Sequence, residues 1–169
     1  VYELESKLAE YVGKKYCISC SSGTDALLIP LIAKNIGPGD GVITTPFTYI
    51  ATAEVIKLLG ATPIFIDVYP DTFNINPDYI PDALNYADSI DIKAKAIIPV
   101  DLFGLPARYR LIEKYAEENN LFVIEDAAQG FGGSIRGKKA GSFGIASAFS
   151  FHRTKTLTTG EGGMIVCNS

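Results

Sequence analysis

Residues 16–45 read YCISCSSGTDALLIPLIAKNIGPGDGVITT and contain one complete passage of the strand, helix and strand pattern that governs the chain. A short apolar run leads through small polar residues into a helical pattern, and a GPGD turn precedes the next apolar run. We expect a strand over Tyr16–Ser19, a helix over Asp25–Asn35 that is kinked or broken at Pro30, and a strand over Gly41–Thr45.

The same alternation continues to the end of the sequence. The seven strand-like runs are Tyr16–Ser19, Gly41–Thr45, Pro63–Val68, Ala96–Val100, Phe122–Glu125, Ile145–Phe151 and Met164–Cys167. Further helical patterns are an amphipathic one that opens the chain and those over Thr52–Leu59, Pro77–Ala87 and Pro106–Glu118. Strands apolar enough to be buried on both faces predict an α/β fold, a three-layer α/β/α sandwich with a mostly parallel seven-stranded sheet.

The last two strands differ from the rest. Only about a dozen residues separate Phe151 from Met164, which is too few for a crossover helix. We therefore expect these two strands to be antiparallel neighbours or to lie apart in the sheet.

Composition limits the classes of function. The 169 residues are 47% hydrophobic, with no run long enough to span a membrane and a net charge of −4 without a basic cluster. Nucleic acid and anionic membranes are therefore not expected as partners. With no leader-like segment, repeat or linker, we expect one cytoplasmic domain over residues 1–169. The missing Met and the ending after an apolar run favour a fragment of a longer polypeptide.

The cysteines suggest a redox or zinc site only weakly. Cys17 and Cys20 have CxxC spacing, but a four-ligand zinc set would require all three cysteines and the single histidine. Cys17 lies in a short apolar strand, where thiols commonly pack as small hydrophobic groups. We expect neither a metal nor a redox function.

Asp126 in VIEDAAQ directly follows a buried strand. A buried, unpaired carboxylate is costly, so this position favours a cationic partner such as the protonated pyridine nitrogen of pyridoxal 5'-phosphate (PLP). A helix-capping aspartate is the alternative interpretation.

The SSGTDAL segment combines the hydroxyl groups of Ser21, Ser22 and Thr24 with the free N–H groups of a helix start, which suits a phosphate. Ordinary helix capping is again the alternative.

Lys155 lies in the segment SFHRTKTLTTGEGG, residues 150–163, between two apolar runs. A solvated loop lysine is the simplest interpretation, but the glycines allow backbone to approach a ligand closely, and desolvation would favour a nucleophilic amine. A lysine for a Schiff base, a carboxylate for the pyridine nitrogen and a helix start for the phosphate together indicate a PLP site. His152 is interpreted as structural.

Two glycine-rich patterns mimic nucleotide-binding motifs. GGSIRGKK has Lys139 where a P-loop needs Ser or Thr, and GFGGSIRG has Ile135 at the third glycine position of the dinucleotide fingerprint. We expect a turn or hairpin there.

The chain resembles the DegT/StrS-type sugar-nucleotide aminotransferases, PLP enzymes with the type I (aspartate aminotransferase) fold. The similarity runs end to end, through the blocks SSGTDAL, IGPGDGVITTPFTYIATAEVI, LLGATPIFIDV, KAIIPVDLFG, VIEDAAQ and SFHRTKTLTTGEGG. Thr156 stands where many relatives have Asn, and Asp40-Gly41 where Asp-Glu is usual.

The resemblance implies a role for each site residue. Lys155 would bind the cofactor covalently and transfer the substrate's proton. Asp126 would pair with the pyridine nitrogen and Gln129 would hydrogen-bond the ring hydroxyl. The ring would lie between Tyr49 and Ala128, and the residues holding the phosphate would be Gly23, Thr24 and Ser150.

The resemblance further implies transfer of an amino group from glutamate to a nucleotide-linked keto sugar by a cytoplasmic homodimer. Residues 1–169 would be the PLP-binding large domain, and the C-terminal small domain would lie outside this sequence. A PLP-dependent sugar dehydrase or epimerase remains an alternative, although dehydrases of the family carry histidine where this chain has Lys155. A catalytically silent regulatory or binding relative is the other alternative.

Overall fold

The computed structural model describes all residues from 1 to 169. Its α-helices are α1 (Tyr2–Val12), α2 (Gly23–Ala33), α3 (Ala51–Leu58), α4 (Ile80–Ser89) and α5 (Tyr109–Glu118). Its strands are β1 (Tyr16–Cys20), β2 (Asp40–Thr44), β3 (Thr62–Phe65), β4 (Lys93–Ile97), β5 (Phe122–Asp126), β6 (Ser134–Ile135), β7 (Lys138–Lys139), β8 (Ala146–Ser150) and β9 (Gly163–Cys167).

Seven strands form one sheet in the order β1-β9-β8-β5-β4-β2-β3. The four pairs from β8 to β3 are parallel, whereas β9 runs antiparallel to both of its neighbours. The prediction of a mostly parallel seven-stranded sheet is confirmed, and its last two strands are the antiparallel neighbours that their short connection requires.

Helices cover both faces of this sheet. Alternate strand residues serve opposite faces: Val42 and Ala148 pack in the cluster under α2 and α3, whereas Ile43 packs under α4 and α5. Phe149 joins a third cluster beneath α1. Because β2 and β8 are buried along their whole length, their continuous apolar runs are explained by burial on two sides. The predicted α/β/α sandwich is confirmed.

Three helix predictions need correction. Helix α2 runs without a break through Pro30, because the buried residues Ala26, Leu27 and Leu31 anchor it in the core on both sides of the proline. Helix α5 begins at Tyr109 and not at Pro106, and residues Pro77–Tyr79 form a 3-10 turn before α4.

The glycine-rich segment that resembles a P-loop is a two-stranded hairpin, β6 with β7, as expected. In the short strand β1, Cys17 is buried, and its Sγ lies 3.3 Å from Sδ of Met164. Burial raises the pKa of the Cys17 thiol to about 12, so it packs as a small hydrophobic group. Every helix is too short or too polar to cross a membrane.

Candidate active site

The predicted site residues gather at one edge of the sheet. Strands β1, β2, β5 and β8 run in the same direction, so their carboxyl ends meet there. Asp126 ends β5 and Ser150 ends β8, while β1 leads directly into the start of α2 at Gly23. Ligands bind at this edge in open α/β sheets.

The start of α2 forms a cradle of backbone hydrogen-bond donors. Ser22 is the N-cap, and its Oγ accepts a hydrogen bond from Asp25 N while its carbonyl accepts from Ala26 N. The N–H groups of Gly23 and Thr24 come earlier in the same turn and have no intrahelical acceptor. They are therefore available to an anion, which the helix dipole also favours.

Gly23 brings this helix start against the end of β8. A Cβ atom on Gly23 would stand 2.6 Å from Cβ of Ser150, and one on Gly163 would stand 2.0 Å from the Ser22 carbonyl oxygen. The absence of both side chains lets the start of α2 lie directly against Ser150 and β9. Ser150 itself is 8% exposed.

The carboxylate of Asp126 is buried and fully oriented. Its Oδ2 accepts a hydrogen bond of 2.8 Å from the Thr52 hydroxyl, and its Oδ1 accepts one of 3.2 Å from Ala128 N. Burial raises the pKa of Asp126, and the Thr52 and Ala128 hydrogen bonds and the nearby charge of Lys155 oppose that rise. A cation placed against this carboxyl would favour its ionised form.

Lys155 lies in the loop between β8 and β9. The base of the loop is closed by Phe151, whose N donates to the Gly162 carbonyl and whose carbonyl accepts from Thr159 N. Lys155 N donates to the His152 carbonyl, so the backbone turns sharply just before the lysine. The half-buried Lys155 is close enough to Asp126 for its charge to act on that carboxyl.

Gln129 is held by one end of its amide. Its Oε1 accepts a hydrogen bond of 2.8 Å from Phe103 N, in a 3-10 turn over Leu102–Gly104. Because the oxygen is engaged, the side-chain NH₂ group is the end left to donate to a ligand.

The remaining predicted residues occupy the rim. Tyr49 is 70% exposed in the loop before α3, where its carbonyl accepts from Thr52 N. Ala128 is half-buried, two residues after Asp126. His152 pairs with Thr154 across 3.0 Å within its own loop, in keeping with its interpretation as structural.

Sequence reasoning missed Thr52. Its hydroxyl lies 3.0 Å from that of Thr48, four residues earlier, and donates a hydrogen bond to Asp126. The spacing of two threonines four residues apart at a helix start was the available signal, but nothing local indicates a partner 74 positions away.

The site residues fit a phosphorylated pyridine. One edge of the sheet carries the buried Asp126 and the half-buried Lys155, whose charge acts on that carboxyl. The same edge carries the cradle at Gly23, where no Cβ atom is present. A family model described as the DegT/DnrJ/EryC1/StrS aminotransferase family matches residues 1–169. The chain belongs to this family.

Relatives share both the sequence and the fold of this family member. The UDP-2-acetamido-2-deoxy-3-oxo-D-glucuronate aminotransferase of Pseudomonas aeruginosa is 47% identical over 169 residues, 99% of this chain and 45% of that protein. A crystal structure of a family aminotransferase from Brucella abortus matches with a TM-score of 0.97 at 46% identity, covering 99% of this chain and 46% of that one.

NtdA from Bacillus subtilis, solved with bound cofactor PMP, matches with a TM-score of 0.88 at 36% identity, covering 99% of this chain and 37% of that one. The family and fold expected from the resemblance are thus confirmed. The chain spans less than half the length of the relatives it matches.

Proposed function

We propose that residues 1–169 form the PLP-binding domain of an aminotransferase that converts a nucleotide-linked keto sugar into an amino sugar. The observation that carries this proposal is the meeting of Lys155, Asp126 and the Gly23–Ser150 cradle at one edge of the sheet. The relative named above acts on a UDP-linked keto sugar according to its name, and NtdA was solved with PMP.

The start of α2 and the ends of β8 and β5 would hold the cofactor. The N–H groups of Gly23 and Thr24 with the Ser150 hydroxyl would bind the phosphate. The Asp126 carboxylate would accept a charge-assisted hydrogen bond from the protonated pyridine nitrogen.

The ring would be fixed by the remaining residues. The NH₂ group of Gln129 would donate to the ring hydroxyl, and the faces of the ring would contact Tyr49 on one side and Ala128 on the other. The phenol ring of Tyr49 is 70% exposed, so it is accessible for stacking on a ligand.

The chemistry divides between the cofactor and Lys155. When bound, PLP supplies the electron sink that stabilises negative charge on the substrate carbon. The Nζ atom of Lys155 would hold the cofactor covalently at rest, and it would take up and return the substrate's proton as general base and acid. Asp126 would support this by keeping the pyridine nitrogen protonated.

The amine donor we propose is glutamate, and the assembly is a cytoplasmic homodimer. The rim of the site is consistent with completion by another surface, since Tyr49, Ile50 and Phe103 are each 65% exposed or more beside it. Apolar side chains of this size are more often covered than solvated when they cluster.

The decisive experiment uses the full-length protein with PLP, glutamate and a panel of nucleotide-linked keto sugars. We expect a visible absorbance band that stays with the protein after free PLP is removed, followed by consumption of glutamate and formation of an amino sugar. A changed sugar without glutamate consumption would indicate a dehydrase or epimerase. No protein-bound band at any PLP concentration would indicate a catalytically silent relative.

A further inference from the structure

A second acidic cluster lies behind the proposed site. Asp101 follows β4, Glu125 immediately precedes Asp126 in β5, and Tyr109 is on α5. All three are buried, with exposed fractions of 0%, 0% and 2% in the case of Asp101, Glu125 and Tyr109. Two carboxyl groups that face each other without water cannot both carry a charge at low cost.

Glu125 is surrounded by hydrogen-bond donors. Its Oε1 accepts from Gly141 N at 2.7 Å, and its Oε2 accepts from Phe143 N at 2.9 Å. Oε2 also contacts the Ser147 hydroxyl, whose single hydrogen can go either to Glu125 or to the Phe143 carbonyl at 3.0 Å. Two of these donors are backbone N–H groups, which cannot reverse their role. Both oxygens of Glu125 therefore act as acceptors, which is the pattern of an ionised carboxylate.

Unlike Glu125, Asp101 has one oxygen that no hydrogen-bond donor reaches. Its Oδ1 accepts from the Tyr109 hydroxyl at 2.7 Å and from Ala107 N at 3.1 Å. Its Oδ2 is buried and receives no hydrogen bond from any donor. This oxygen gains a hydrogen-bond partner when it carries a proton, because its O–H group can then donate a hydrogen bond to the neighbouring Glu125.

We propose that Asp101 is a neutral carboxylic acid that donates a hydrogen bond to ionised Glu125, and that this proton-sharing pair positions Gln129 for the cofactor. The pair lies outside the residues that would touch PLP, so both members are positioning residues.

The electrostatic surroundings agree with this placement of the proton. Burial and the charge of Glu125 raise the pKa of Asp101 well above its usual range. Burial also raises the pKa of Glu125, but hydrogen bonds from Asp101, Ser147 and two backbone N–H groups oppose the rise. The other titratable groups that interact with this cluster are Asp126 from β5, whose charge acts on Tyr109, and Lys14 beyond α1, on which the charge of Glu125 acts.

The route from the pair to Gln129 is short. Asp101 fixes both ends of the turn that follows it, because its Oδ1 accepts from Ala107 N and its carbonyl accepts from Gly104 N. Phe103 in the centre of that turn has φ 55° and donates its N–H to Gln129. This part of the proposal rests on the proposed function, whereas the location of the proton does not.

The two carboxyl groups can be tested by isosteric amides. Asp101→Asn puts an NH₂ group where the protonated Oδ2 would be, so it keeps the donor to Glu125 and the acceptor for Tyr109. Glu125→Gln puts an NH₂ group against either Gly141 N or Phe143 N, where two donors would meet. We expect Asp101→Asn to melt within a few degrees of wild type, and Glu125→Gln to melt well below it.

The proton itself can be seen by infrared spectroscopy of the full-length protein, with or without PLP. Asp126→Asn is the control that identifies any band from the Asp126 carboxyl, whose pKa burial also raises. At neutral pH we expect the carbonyl stretch of a buried carboxylic acid in wild type and its loss in Asp101→Asn. Retention of that stretch in Asp101→Asn, or better tolerance of Glu125→Gln than of Asp101→Asn, would overturn the proposal.

The positioning role is tested by measuring PLP affinity and the visible spectrum of bound PLP. Asp101→Leu, which removes both oxygens, is expected to weaken PLP binding at least tenfold and to alter the visible band, and Asp101→Asn is expected to restore both. Equal PLP affinity and spectra in all three proteins would refute the link to Gln129. If wild type bound no PLP, the proposed function would fail while the infrared result would still decide where the proton lies.

Discussion

Gly23 and Ser150 are in such close contact that a Cβ atom on the glycine would stand 2.6 Å from Cβ of the serine and 3.0 Å from its hydroxyl. Gly23→Ala must therefore push the start of α2 away from the end of β8. We expect a loss of about 1–3 kcal/mol in stability, typical of overpacking, and at least a tenfold loss in PLP affinity because the phosphate cradle opens.

Gly37→Ala is the matched control for that variant. A Cβ atom on Gly37 would meet only the Leu59 carbonyl oxygen, at an ordinary 3.8 Å. Thermal melting and PLP titration of the two variants separate the loss of the cradle from a general effect of replacing glycine. Wild-type affinity in Gly23→Ala would contradict the cradle.

Thr52→Val replaces the hydroxyl that donates to Asp126 with a methyl group of the same shape. The buried Oδ2 of Asp126 then loses its 2.8 Å hydrogen bond, and an unsatisfied buried acceptor costs about 1–3 kcal/mol. We expect lower stability and weaker PLP binding, measured by denaturant unfolding and by absorbance titration. Thr62→Val on the edge strand β3 is the control, and equal losses in both variants would argue against a specific role for Thr52.

The site residues that the sequence predicts are those whose position depends on their immediate neighbours in the chain. Asp126 and Lys155 stand out because each directly follows, or lies between, apolar runs whose burial is readable from composition. Thr52 could not be found, because its contact with Asp126 depends on how α3 packs against β5. The start of α2 at Gly23, and not at Asp25, likewise depends on the packing of that helix against Ser150.

The acid pair shows the same limit more clearly. The sequence predicts no role for Asp101, which follows an apolar run, and it identifies Glu125 only as the end of a strand. Their significance depends on burial on both sides and on which backbone N–H groups face each oxygen. Neither property is encoded in the residues next to them.

Asp126→Asn is expected to separate stability from function. Burial raises the pKa of Asp126 in the absence of a cofactor, so the folded chain retains a proton that the unfolded chain releases above about pH 4. The wild type without PLP therefore loses stability as pH rises from about 4 through the folded pKa, whereas Asp126→Asn does not.

The fold should accept this asparagine. Its oxygen can accept from Ala128 N, and its NH₂ group can donate to the Thr52 hydroxyl. We expect unfolding of the PLP-free variant to depend less on pH and turnover to fall by about 10²- to 10³-fold, since the charge opposite the pyridine nitrogen is lost. A variant with full turnover would show that Asp126 does not serve the cofactor.

Lys155→Ala removes both the amine that binds PLP and the group that moves the proton. General acid–base catalysis alone contributes about 10²- to 10⁴-fold, so turnover should fall by at least that factor. Lys155→Arg keeps a positive charge near Asp126 but lacks a primary amine, so it should be equally inactive. Lys7→Ala, on the exposed face of α1, is the control.

The covalent bond gives the sharpest measurement of this role. After treatment of the PLP-loaded protein with borohydride, we expect the added mass of the cofactor on the peptide that contains Lys155, and on no peptide of either Lys155 variant. Lys7→Ala should give the same labelled peptide as wild type. A label on a different lysine, or unchanged turnover in Lys155→Ala, would place the reacting amine elsewhere and remove the basis for the proposed site.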